Sequence, residues 1–509
     1  MPTINGNTTI ALDGVTPISV GGVQYYEWFD QFLDGAFFFA PNPGPVLTVN
    51  LSGEWNASTL RVSGQLAARI NDAASGERRL EAILCRNEAD DVITLTRTAV
   101  DVIRTGNGND TVSLGGSFWV ALLETGEGND RVTLNNGRWL GAIDLGNGAN
   151  RLVADDRGAG IESIRAFDGS DSITVRGGAG AIATGGGADV ILTGLRYVGT
   201  INGGSGNDRI TTGGDAQFVH GQDGNDIIAT AAGGWSQVVA GEGGNDRLSV
   251  RGEATLIDGG DGRDVISTGA GWVGTIDSGS GADRVVLNRG GTNYVNLGRD
   301  ADTLIVKAQA DPDHRVIVAG SSSVSTPRDR DSDTVNLAAF RTAIQADLDS
   351  GYVNSNSGGM LLREIEHLVG GRQNDLLSGN HEDNRLSGGA GRDTLVGGAG
   401  ADSLIGGAAA DSFRFTSDVD SRADGILDFS RTQGDRIDLR GIDADESRGG
   451  DQNFAFLGAR RFSGDEGELR AVRSAGQTTI TGDTDGDRRA DFIVILDDPL
   501  TMLERDFVL

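Results

Sequence analysis

Cysteine, proline and aromatic side chains are scarce in this sequence. Its 509 residues include one cysteine, Cys85, together with 8 prolines and 6% aromatic residues. One cysteine excludes an intrachain disulfide bond, so a chain of this kind that folds outside the cell would need another cross-link. A bound cation is the cross-link that this composition leaves available.

Two kinds of apolar segment are also missing. The first residues, MPTINGNTTIALDG, contain neither the basic region nor the apolar core of a Sec-type signal peptide. No run of about eighteen apolar residues occurs, which argues against a membrane-spanning helix. If the protein is secreted, we expect its export signal to lie elsewhere in the chain.

The motifs of two common hydrolase classes are absent. A zinc protease would need H-E-x-x-H on a helix, and the nearest match, His381-Glu382, has Arg385 at the second histidine position. No G-x-S-x-G motif of a serine hydrolase occurs. The four histidines form no metal-ligand cluster in sequence: His220, His314, His367 and His381. These absences favour a protein that is not an enzyme.

Acidic residues outnumber basic residues, by 73 to 43, and the formal net charge is −30. This charge argues against nucleic acid as a partner. Many of the acids stand in repeated loops, where stacked carboxylates repel one another unless a cation lies between them. We therefore expect metal binding and folding to be coupled.

Glycine is abundant, with 80 residues, and much of it is arranged in repeats. Residues 370–414 read GGRQNDLLS GNHEDNRLS GGAGRDTLV GGAGADSLI GGAAADSFR, which is one nonapeptide five times over. The sixth positions are Asp375, Asn384, Asp393, Asp402 and Asp411, and the eighth positions are Leu377, Leu386, Leu395, Leu404 and Phe413. Because side chains alternate along a strand, each unit predicts a glycine turn followed by a short strand with one inward residue.

Nine residues cannot bury a single apolar side chain alone, so successive units are expected to stack into a solenoid. Stacking brings together the acidic side chains and the glycine carbonyls of neighbouring turns. Hard oxygen ligands at such a spacing suit calcium. The repeats therefore predict several calcium sites along the stack.

A looser form of the pattern occupies the chain before the nonapeptides. Loops of the form G-x-G-x-D-x-apolar place an acid or an amide at Asp110, Asp130, Asn150, Asp171, Asp189, Asp208, Asp226, Asp246, Asp264, Asp283 and Asp302. Ten intervals cover 192 residues, which is close to nineteen per coil, and each coil carries one loop. This spacing predicts a parallel β-helix or broad β-roll with metal sites along one edge. Asp91 also falls at a loop position, although its loop lacks the glycines.

These units resemble the G-G-x-G-x-D-x-U-x nonapeptides of RTX (repeats-in-toxin) proteins. The resemblance implies an all-β fold: a parallel β-helix or β-roll solenoid with calcium loops, followed by a β-rich C-terminal domain. It also implies that loop aspartates give carboxylates to calcium while glycine carbonyls complete the oxygen shell. The implied metal positions are Asp110, Asp130, Asp171, Asp189, Asp208, Asp226, Asp246, Asp264, Asp283, Asp302, Asp375, Asp393, Asp402 and Asp411, with Gly204, Gly206, Gly389, Gly391, Gly398 and Gly400. Asn150 and Asn384 lack the charge, which implies weaker sites.

The segments after the nonapeptides resemble the C-terminal domain of serralysin-type secreted proteins. The matching phrases are ILDFSRTQGDRIDLRGIDAD, FAFLGARRFSGDEGELRAV and TTITGDTDGDRRADFIVILDD, and Asp506 is followed by the apolar residues Phe507, Val508 and Leu509. The resemblance implies export through a type I channel, an uncleaved C-terminal signal and an extracellular location. The acidic stretch Asp483–Asp491 is either another calcium loop or a plain acidic turn.

Changes in composition divide the chain into five predicted parts. They are an N-terminal cap at 1–45, a β-helix with one-sided calcium loops at 46–305, a connector at 306–365, the nonapeptide β-roll at 366–415, and the serralysin-like domain with its secretion signal at 416–509. The aromatic run Tyr25–Phe39 is interpreted as cover for an open solenoid end, with a docking patch as the alternative.

Aromatic residues recur eleven positions before successive loop positions: Trp119, Trp139, Tyr197, Trp235 and Trp272. They are expected to stack along the edge opposite the calcium loops. We expect a buried aromatic corner of the solenoid, because stacking along identical coils needs no ligand. An exposed row would instead suit sugar rings or an apolar partner.

These patterns predict a secreted calcium-binding protein that folds on binding calcium after export and has a structural or adhesive role at or outside the cell surface. The predicted partners are calcium ions, the type I secretion machinery and a glycan or cell-surface partner, without nucleic acid or a membrane span. The alternative is a polysaccharide-binding or polysaccharide-modifying β-helix enzyme of the lyase or epimerase kind. Residues 311–314, DPDH, faintly resemble the DPHE motif of secreted mannuronan epimerases, with an extra aspartate that splits the motif.

Overall fold

The structure is a computed structural model. It describes residues 8–12, 19–20, 23–24, 36–40, 47–51, 56–64, 68–72, 78–96, 98–116, 119–135, 139–155, 160–307, 316–320, 332–355, 358–416, 422–445 and 447–509. Within these ranges the regular structure is β-strand, apart from a 3-10 turn at Glu504–Asp506. The predicted all-β fold is confirmed. No helix in the same ranges is long and apolar enough to cross a membrane.

The chain forms two compact units, Met1–Asp258 and Gly259–Leu509, here called unit 1 and unit 2. Both are built mainly from parallel strands stacked coil upon coil, which confirms the predicted β-helix or β-roll. The five-part division expected from composition is finer than these two units and stays a prediction.

Unit 1 is a parallel solenoid in which each coil gives one strand to sheet 1 and one strand to sheet 2. The strands of sheet 1 are Thr8–Leu12, Leu47–Leu51, Ala68–Asp72, Val92–Leu95, Thr111–Gly115, Arg131–Asn135, Arg151–Ala154, Ser172–Val175, Val190–Thr193, Arg209–Thr211, Ile227–Ala229 and Arg247–Val250. The strands of sheet 2 are Ala36–Ala40, Asn56–Gly64, Arg78–Asn87, Thr98–Gly106, Trp119–Glu124, Trp139–Asp144, Gly160–Arg165, Gly178–Ala183, Val198–Ser205, Ala216–Asp223 and Trp235–Gly243. A short antiparallel pair, Ser19–Val20 with Val23–Gln24, and a strand at Glu253–Asp261, which contains the residue where unit 1 ends, complete the set.

Aligned aliphatic side chains form the core of unit 1. Sheet 1 turns residues of adjacent coils inward at one register, so Val112, Val132 and Leu152 are paired neighbours and fully buried. Sheet 2 contributes a row that includes Leu123 and Ile143. Each such side chain stabilises the fold by roughly 1.5–3 kcal/mol. Because the coils repeat in register, equivalent loop residues are stacked about 4.8 Å apart.

Unit 2 also contains two families of stacked strands, called sheet 3 and sheet 4. Sheet 3 consists of Val265–Thr268, Arg284–Leu287, Thr303–Val306, Thr334–Asn336, His367–Val369, Arg385–Ala390, Ser403–Ala408, Arg422–Ile426, Phe492–Leu496, Thr478–Asp483, Glu468–Arg473 and Ala455–Phe456. Sheet 4 consists of Val273–Asp277, Thr292–Asn296, Val316–Ala319, Gly358–Arg363, Tyr352–Ser355, Ile344–Asp347, Leu376–Ser378, Thr394–Val396, Ser412–Arg414, Arg436–Asp438 and Phe507–Val508.

The segment predicted to be a connector supplies strands to unit 2 where the structure describes it. Thr334–Asn336 pairs in parallel with Thr303–Val306 and with His367–Val369. Tyr352–Ser355 is antiparallel to both of its partners. The parallel stack of unit 2 therefore runs through this segment with one antiparallel excursion.

The C-terminal part of unit 2 is rich in β-structure. Thr478–Asp483 is antiparallel to Glu468–Arg473 and to Phe492–Leu496. The last strand, Phe507–Val508, pairs in parallel with Arg436–Asp438. The end of the chain is thus tied into a sheet.

Candidate metal centre

The loop aspartates of unit 1 form one continuous hydrogen-bonded row, which we call the aspartate ladder. Each member precedes a strand of sheet 1, and its Oδ1 atom accepts a hydrogen bond from the backbone N–H of the loop residue one coil earlier. Asp110 accepts from Asp91 at 2.7 Å, and Asp130 accepts from Asp110 at 2.8 Å. The same bond, at 2.7–2.9 Å, is accepted by Asn150, Asp171, Asp189, Asp208, Asp226 and Asp246.

Unit 2 contains aspartate ladders at two edges. Before strands of sheet 3, Asp283 accepts a hydrogen bond from the backbone N–H of Asp264, and Asp302 accepts one from Asp283. The backbone N–H of Asp302 in turn donates to Asp333. Before strands of sheet 4, the acceptors Asp375, Asp393, Asp411 and Asp435 follow one another. A further run at sheet 3 joins Asn384, Asp402 and Asp424. The nonapeptides thus place a loop at every half-coil, whereas the nineteen-residue coils place one at every full coil.

All fourteen aspartates predicted to bind metal are buried. None has more than 3% of its surface exposed: Asp110, Asp130, Asp171, Asp189, Asp208, Asp226, Asp246, Asp264, Asp283, Asp302, Asp375, Asp393, Asp402 and Asp411. A buried ionised carboxylate costs several kcal/mol unless a positive charge or hydrogen-bond donors compensate it. One backbone N–H on Oδ1 supplies only part of that compensation, and Asp375 accepts a second N–H, from Gly371 at 2.6 Å, on Oδ2.

The second carboxylate oxygen, Oδ2, is the atom that the backbone bond to Oδ1 leaves uncompensated. Within the described residues it has no hydrogen-bond partner in Asp110, Asp130, Asp171, Asp189, Asp208, Asp226, Asp283, Asp393 and Asp411. In Asp393 and Asp411 it lies against the turn glycine five positions earlier, since a Cβ atom on Gly388 or on Gly406 would be 2.5 Å from Oδ2. In Asp110, Asp130 and Asp189 the residue at that position is a threonine. The ladder therefore presents a row of buried, unsatisfied oxygens to the turns that precede the strands.

Burial also raises the pKa of these carboxyl groups. It raises the pKa of Asp226 to about 7, although the hydrogen bond from the Asp208 backbone opposes the shift, and the charges of Asp208 and Asp246 add to it. The pKa of Asp171, of Asp283 and of Asp411 likewise rises to about 7. The pKa of Asp110, Asp208 and Asp393 rises to about 6. Without a cation, burial in the ladder thus destabilises the ionised form of these carboxyl groups.

The predicted loop glycines all adopt left-handed backbone conformations. Their φ angles are 110° for Gly204, 123° for Gly206, 99° for Gly389, 131° for Gly391, 97° for Gly398 and 130° for Gly400. At Gly206 a side chain is excluded twice, because a Cβ atom there would also collide with the carbonyl oxygen of Gly187. The backbone carbonyls of successive loops therefore stack closely beside the carboxylates.

A family model described as the RTX calcium-binding nonapeptide repeat (4 copies) matches residues 98–117, 196–233, 240–271, 364–395 and 387–420. The chain carries RTX calcium-binding repeats. RTX repeats bind calcium, and the aligned buried aspartates fit calcium-binding turns. A search of the curated proteins found no match.

One RTX-like loop carries its own substitute for the cation. Asn150 stands in the ladder of unit 1, and its Oδ1 atom accepts the usual bond from Asp130. Its Nδ2 atom donates to the carbonyl oxygens of Gly148 at 3.0 Å and Gly146 at 3.3 Å. In Asp130 and Asp171, its neighbours in the ladder, the atom in place of Nδ2 is Oδ2, which cannot donate and has no hydrogen-bond partner, so a cation is needed there instead.

Four ladder positions lie outside the sequence prediction of metal sites. Asp333, Asp424 and Asp435 are buried members of the ladders, and Glu366 accepts the N–H of Asp333 at 2.7 Å. Their sequence signal is an acid two positions before an inward apolar residue, as in DTV and DRI. The glycine pair that marks the RTX loops is missing in each.

A separate acidic turn lies in the C-terminal part of unit 2. Carboxylate oxygens of Asp483, Asp485 and Asp491 lie within 4.8 Å of one another. Those of Asp483 accept backbone bonds from Gly486 and Arg488, and that of Asp491 accepts from Thr484. The hydrogen bonds are those of an acidic turn, and the spacing is that of a cation site, so both interpretations of this stretch stay open.

The expectation of a buried aromatic corner is wrong. We call the turns that lead into sheet 2 of unit 1 the aromatic edge. Its members Trp119, Trp139, Tyr197 and Trp235 are 42%, 40%, 51% and 39% exposed, and Trp272 in unit 2 is 41% exposed. Each stands next to an inward residue at the start of a strand, such as Val120 after Trp119, and alternation along the strand turns the aromatic ring outward.

Two sequence hypotheses fall outside the described residues. The DPDH stretch at 311–314 is one, and most of the aromatic run Tyr25–Phe39 is the other. Among described residues, no cluster of three or more metal-ligating side chains includes a histidine. The interpretation that the chain is not an enzyme stays a prediction.

Proposed function

We propose that this protein is a secreted scaffold that folds when calcium fills its ladders, and that it has a structural or adhesive role at or outside the cell surface. The observation that supports this is the row of buried carboxylates whose Oδ2 atoms lack partners. Calcium prefers such oxygen ligands, and it would compensate the buried charge of every coil it reaches.

The proposed ligands are the fourteen predicted aspartates and the carbonyl groups of the loop glycines, of which Gly204, Gly206, Gly389, Gly391, Gly398 and Gly400 are representative. Asp333, Asp424 and Asp435 are proposed as additional acidic positions because they occupy the same ladders. Asn150 is proposed as a position without metal, since its amide already satisfies the facing carbonyls.

Type I export through a C-terminal signal is also proposed, on the resemblance of residues 416–509 to serralysin-type domains. In the cytosol, where calcium is scarce, the uncompensated ladders would keep the chain unfolded and able to thread a channel. Outside the cell, sites of the extracellular kind, with dissociation constants of about 10⁻⁴–10⁻³ M, would fill and fold it.

Circular dichroism of the full chain during a calcium titration tests the coupling. We expect a largely unstructured spectrum in chelator and a β-rich spectrum in millimolar calcium, with a midpoint in the range given above. Magnesium at the same concentration is the control, because it dehydrates reluctantly and demands octahedral geometry. A β-rich spectrum that is unchanged in excess chelator would contradict the proposal that folding is coupled to calcium binding.

A second candidate function gains support from the exposed aromatic edge. A row of outward aromatic rings suits sugar rings, so polysaccharide binding is the form of adhesion that the structure favours. Its enzymatic version, a lyase or epimerase, has no support among the described residues beyond this surface.

A further inference from the structure

The aromatic edge of unit 1 combines two kinds of binding group. The rings of Trp119 and Trp139 come from adjacent coils, with centroids 5.9 Å apart and planes inclined by 57°. Tyr197 and Trp235 stand two coils apart, roughly 10 Å along the solenoid. Leu195, 87% exposed, extends the apolar surface beside Tyr197.

A chain of amide groups runs beside the second pair of rings. The hydroxyl group of Tyr197 donates to Oε1 of Gln217 at 2.6 Å. Nε2 of Gln217 donates to Oε1 of Gln237 at 3.0 Å, and Gln237 is itself exposed. Three successive coils thus hold their polar groups in one hydrogen-bonded line, so their side chains are ordered before any ligand arrives.

We propose that Tyr197, Gln217, Trp235 and Gln237 form a binding platform for a linear, uncharged glycan. The proposal rests on the adhesive part of the proposed function and names its target class. Flat rings stack on the apolar faces of pyranose rings, and amide groups one coil apart offer donors and acceptors to hydroxyl groups. A rigid platform loses little side-chain entropy when it binds.

Charge decides between neutral and acidic glycans. The chain has a net charge of −30, and the platform side chains themselves are uncharged. A uronate or sulfated polymer would meet an acidic protein with Asp215 between the two rings, which disfavours its approach. A neutral hexose polymer meets no such penalty, and the amide line suits its hydroxyl groups.

The polar groups between the rings of the platform argue against a docking site for another protein. Its aromatic side chains are separated by coils that carry glutamine or aspartate, because Asp215 stands between Tyr197 and Trp235 and accepts the backbone N–H of Trp235 at 2.8 Å. A protein interface would need a continuous apolar centre. Separated rings with polar groups between them match a ligand that itself alternates apolar faces and hydroxyl groups.

The test uses the full chain loaded with calcium and measures binding of neutral glucan and mannan oligosaccharides, and of uronate oligosaccharides, by isothermal titration calorimetry. We expect binding of a neutral oligosaccharide, and a loss of affinity of roughly tenfold or more in Tyr197→Ala with Trp235→Ala, which corresponds to about 1.4 kcal/mol. Gln237→Ala, at an exposed position, should weaken binding while leaving the fold intact. Tyr352→Ala is the matched control, since Tyr352 is 43% exposed and lies in unit 2.

Several results would overturn the proposal. They are no binding of any neutral oligosaccharide, equal binding by the platform variants and the control, or preference for the uronates. Cleavage or epimerisation of a bound oligosaccharide would support the site while replacing adhesion with catalysis. Circular dichroism in calcium, recorded on every sample, keeps this test separate from the folding proposal, because calcium-dependent folding without glycan binding would refute only the platform.

Discussion

A loop carboxylate in this protein has two oxygens with different tasks. Oδ1 of Asp226 accepts the backbone N–H of Asp208 at 2.7 Å and so joins two coils. Oδ2 is buried and has no partner within the described residues. The first oxygen contributes to the fold with or without metal, whereas the second destabilises the fold unless a cation compensates it.

The substitution Asp226→Asn separates these two tasks. An asparagine keeps the acceptor and can donate to loop carbonyls, as Asn150 does. We expect the variant to bind fewer calcium ions and to melt at a lower temperature in calcium. In chelator, where the unmodified chain is expected to be largely unstructured, the variant should retain more β-structure, because a buried unpaired charge that costs about 1–3 kcal/mol is gone.

Calcium stoichiometry by calorimetry, thermal unfolding in calcium and circular dichroism in chelator measure this crossover. Asp349→Asn is the control, since Asp349 is exposed and its substitution removes the same charge. If Asp226→Asn is less stable in calcium and also has no more β-structure than the unmodified chain in chelator, Oδ2 does not face a cation.

At the scale of the element, the coil depends on the close approach of successive loops. Gly206 has a φ of 123°, and a Cβ atom there would collide with the Gly187 carbonyl oxygen. Gly160, in a strand of sheet 2, has open space where a Cβ atom would stand. The two glycines therefore answer different needs, although both occur in the same solenoid.

Alanine substitutions should reveal this difference. Gly206→Ala is expected to destabilise the calcium-bound protein by about 1–3 kcal/mol, the usual cost of a strained backbone position, with the added cost of the displaced carbonyl. Gly160→Ala should be neutral or slightly stabilising, because it reduces the freedom of the unfolded chain. Urea unfolding in saturating calcium measures both, and a neutral Gly206→Ala would contradict the loop geometry described here.

Much of the coil could be predicted from sequence because its signals are local. The spacing of Asp110 to Asp302 fixed the coil length, and x-Asp-x-apolar fixed which residue turns inward. Asp333, Asp424 and Asp435 were missed because the prediction required glycines, while the structure needs only a buried acid one coil from the next. The aromatic edge was misjudged although Val120 and Leu140, each next to a tryptophan, already marked the inward positions.

At the scale of the whole molecule, the ladders make stability depend on pH. Burial raises the pKa of Asp171, Asp226, Asp283 and Asp411 to about 7, from near 4 in an unfolded chain. Between about pH 4 and pH 7 the calcium-free folded protein therefore holds protons that the unfolded chain has released. Its free energy of unfolding must fall as the pH rises through this window.

We accordingly expect calcium-depleted protein to be more stable near pH 5 than near pH 8. In saturating calcium the order should reverse, because protons and calcium compete for the same carboxylates. Circular dichroism of the calcium-depleted protein, which should gain β-structure as the pH falls, and thermal unfolding in calcium measure the two trends. Stability that rises with pH in the calcium-depleted protein would contradict the account of the ladders given above.

The ladder has a direction, because each loop N–H is satisfied by the carboxylate of the coil that comes later in the chain. A coil cannot complete its own loop until its C-terminal neighbour is in place, since a buried N–H without an acceptor is costly. Assembly within a unit should therefore proceed backwards, from later coils to earlier ones. A chain that leaves a channel with its C-terminus first would deliver its coils in that order. Each coil that folds outside would then hinder the chain from moving back into the channel.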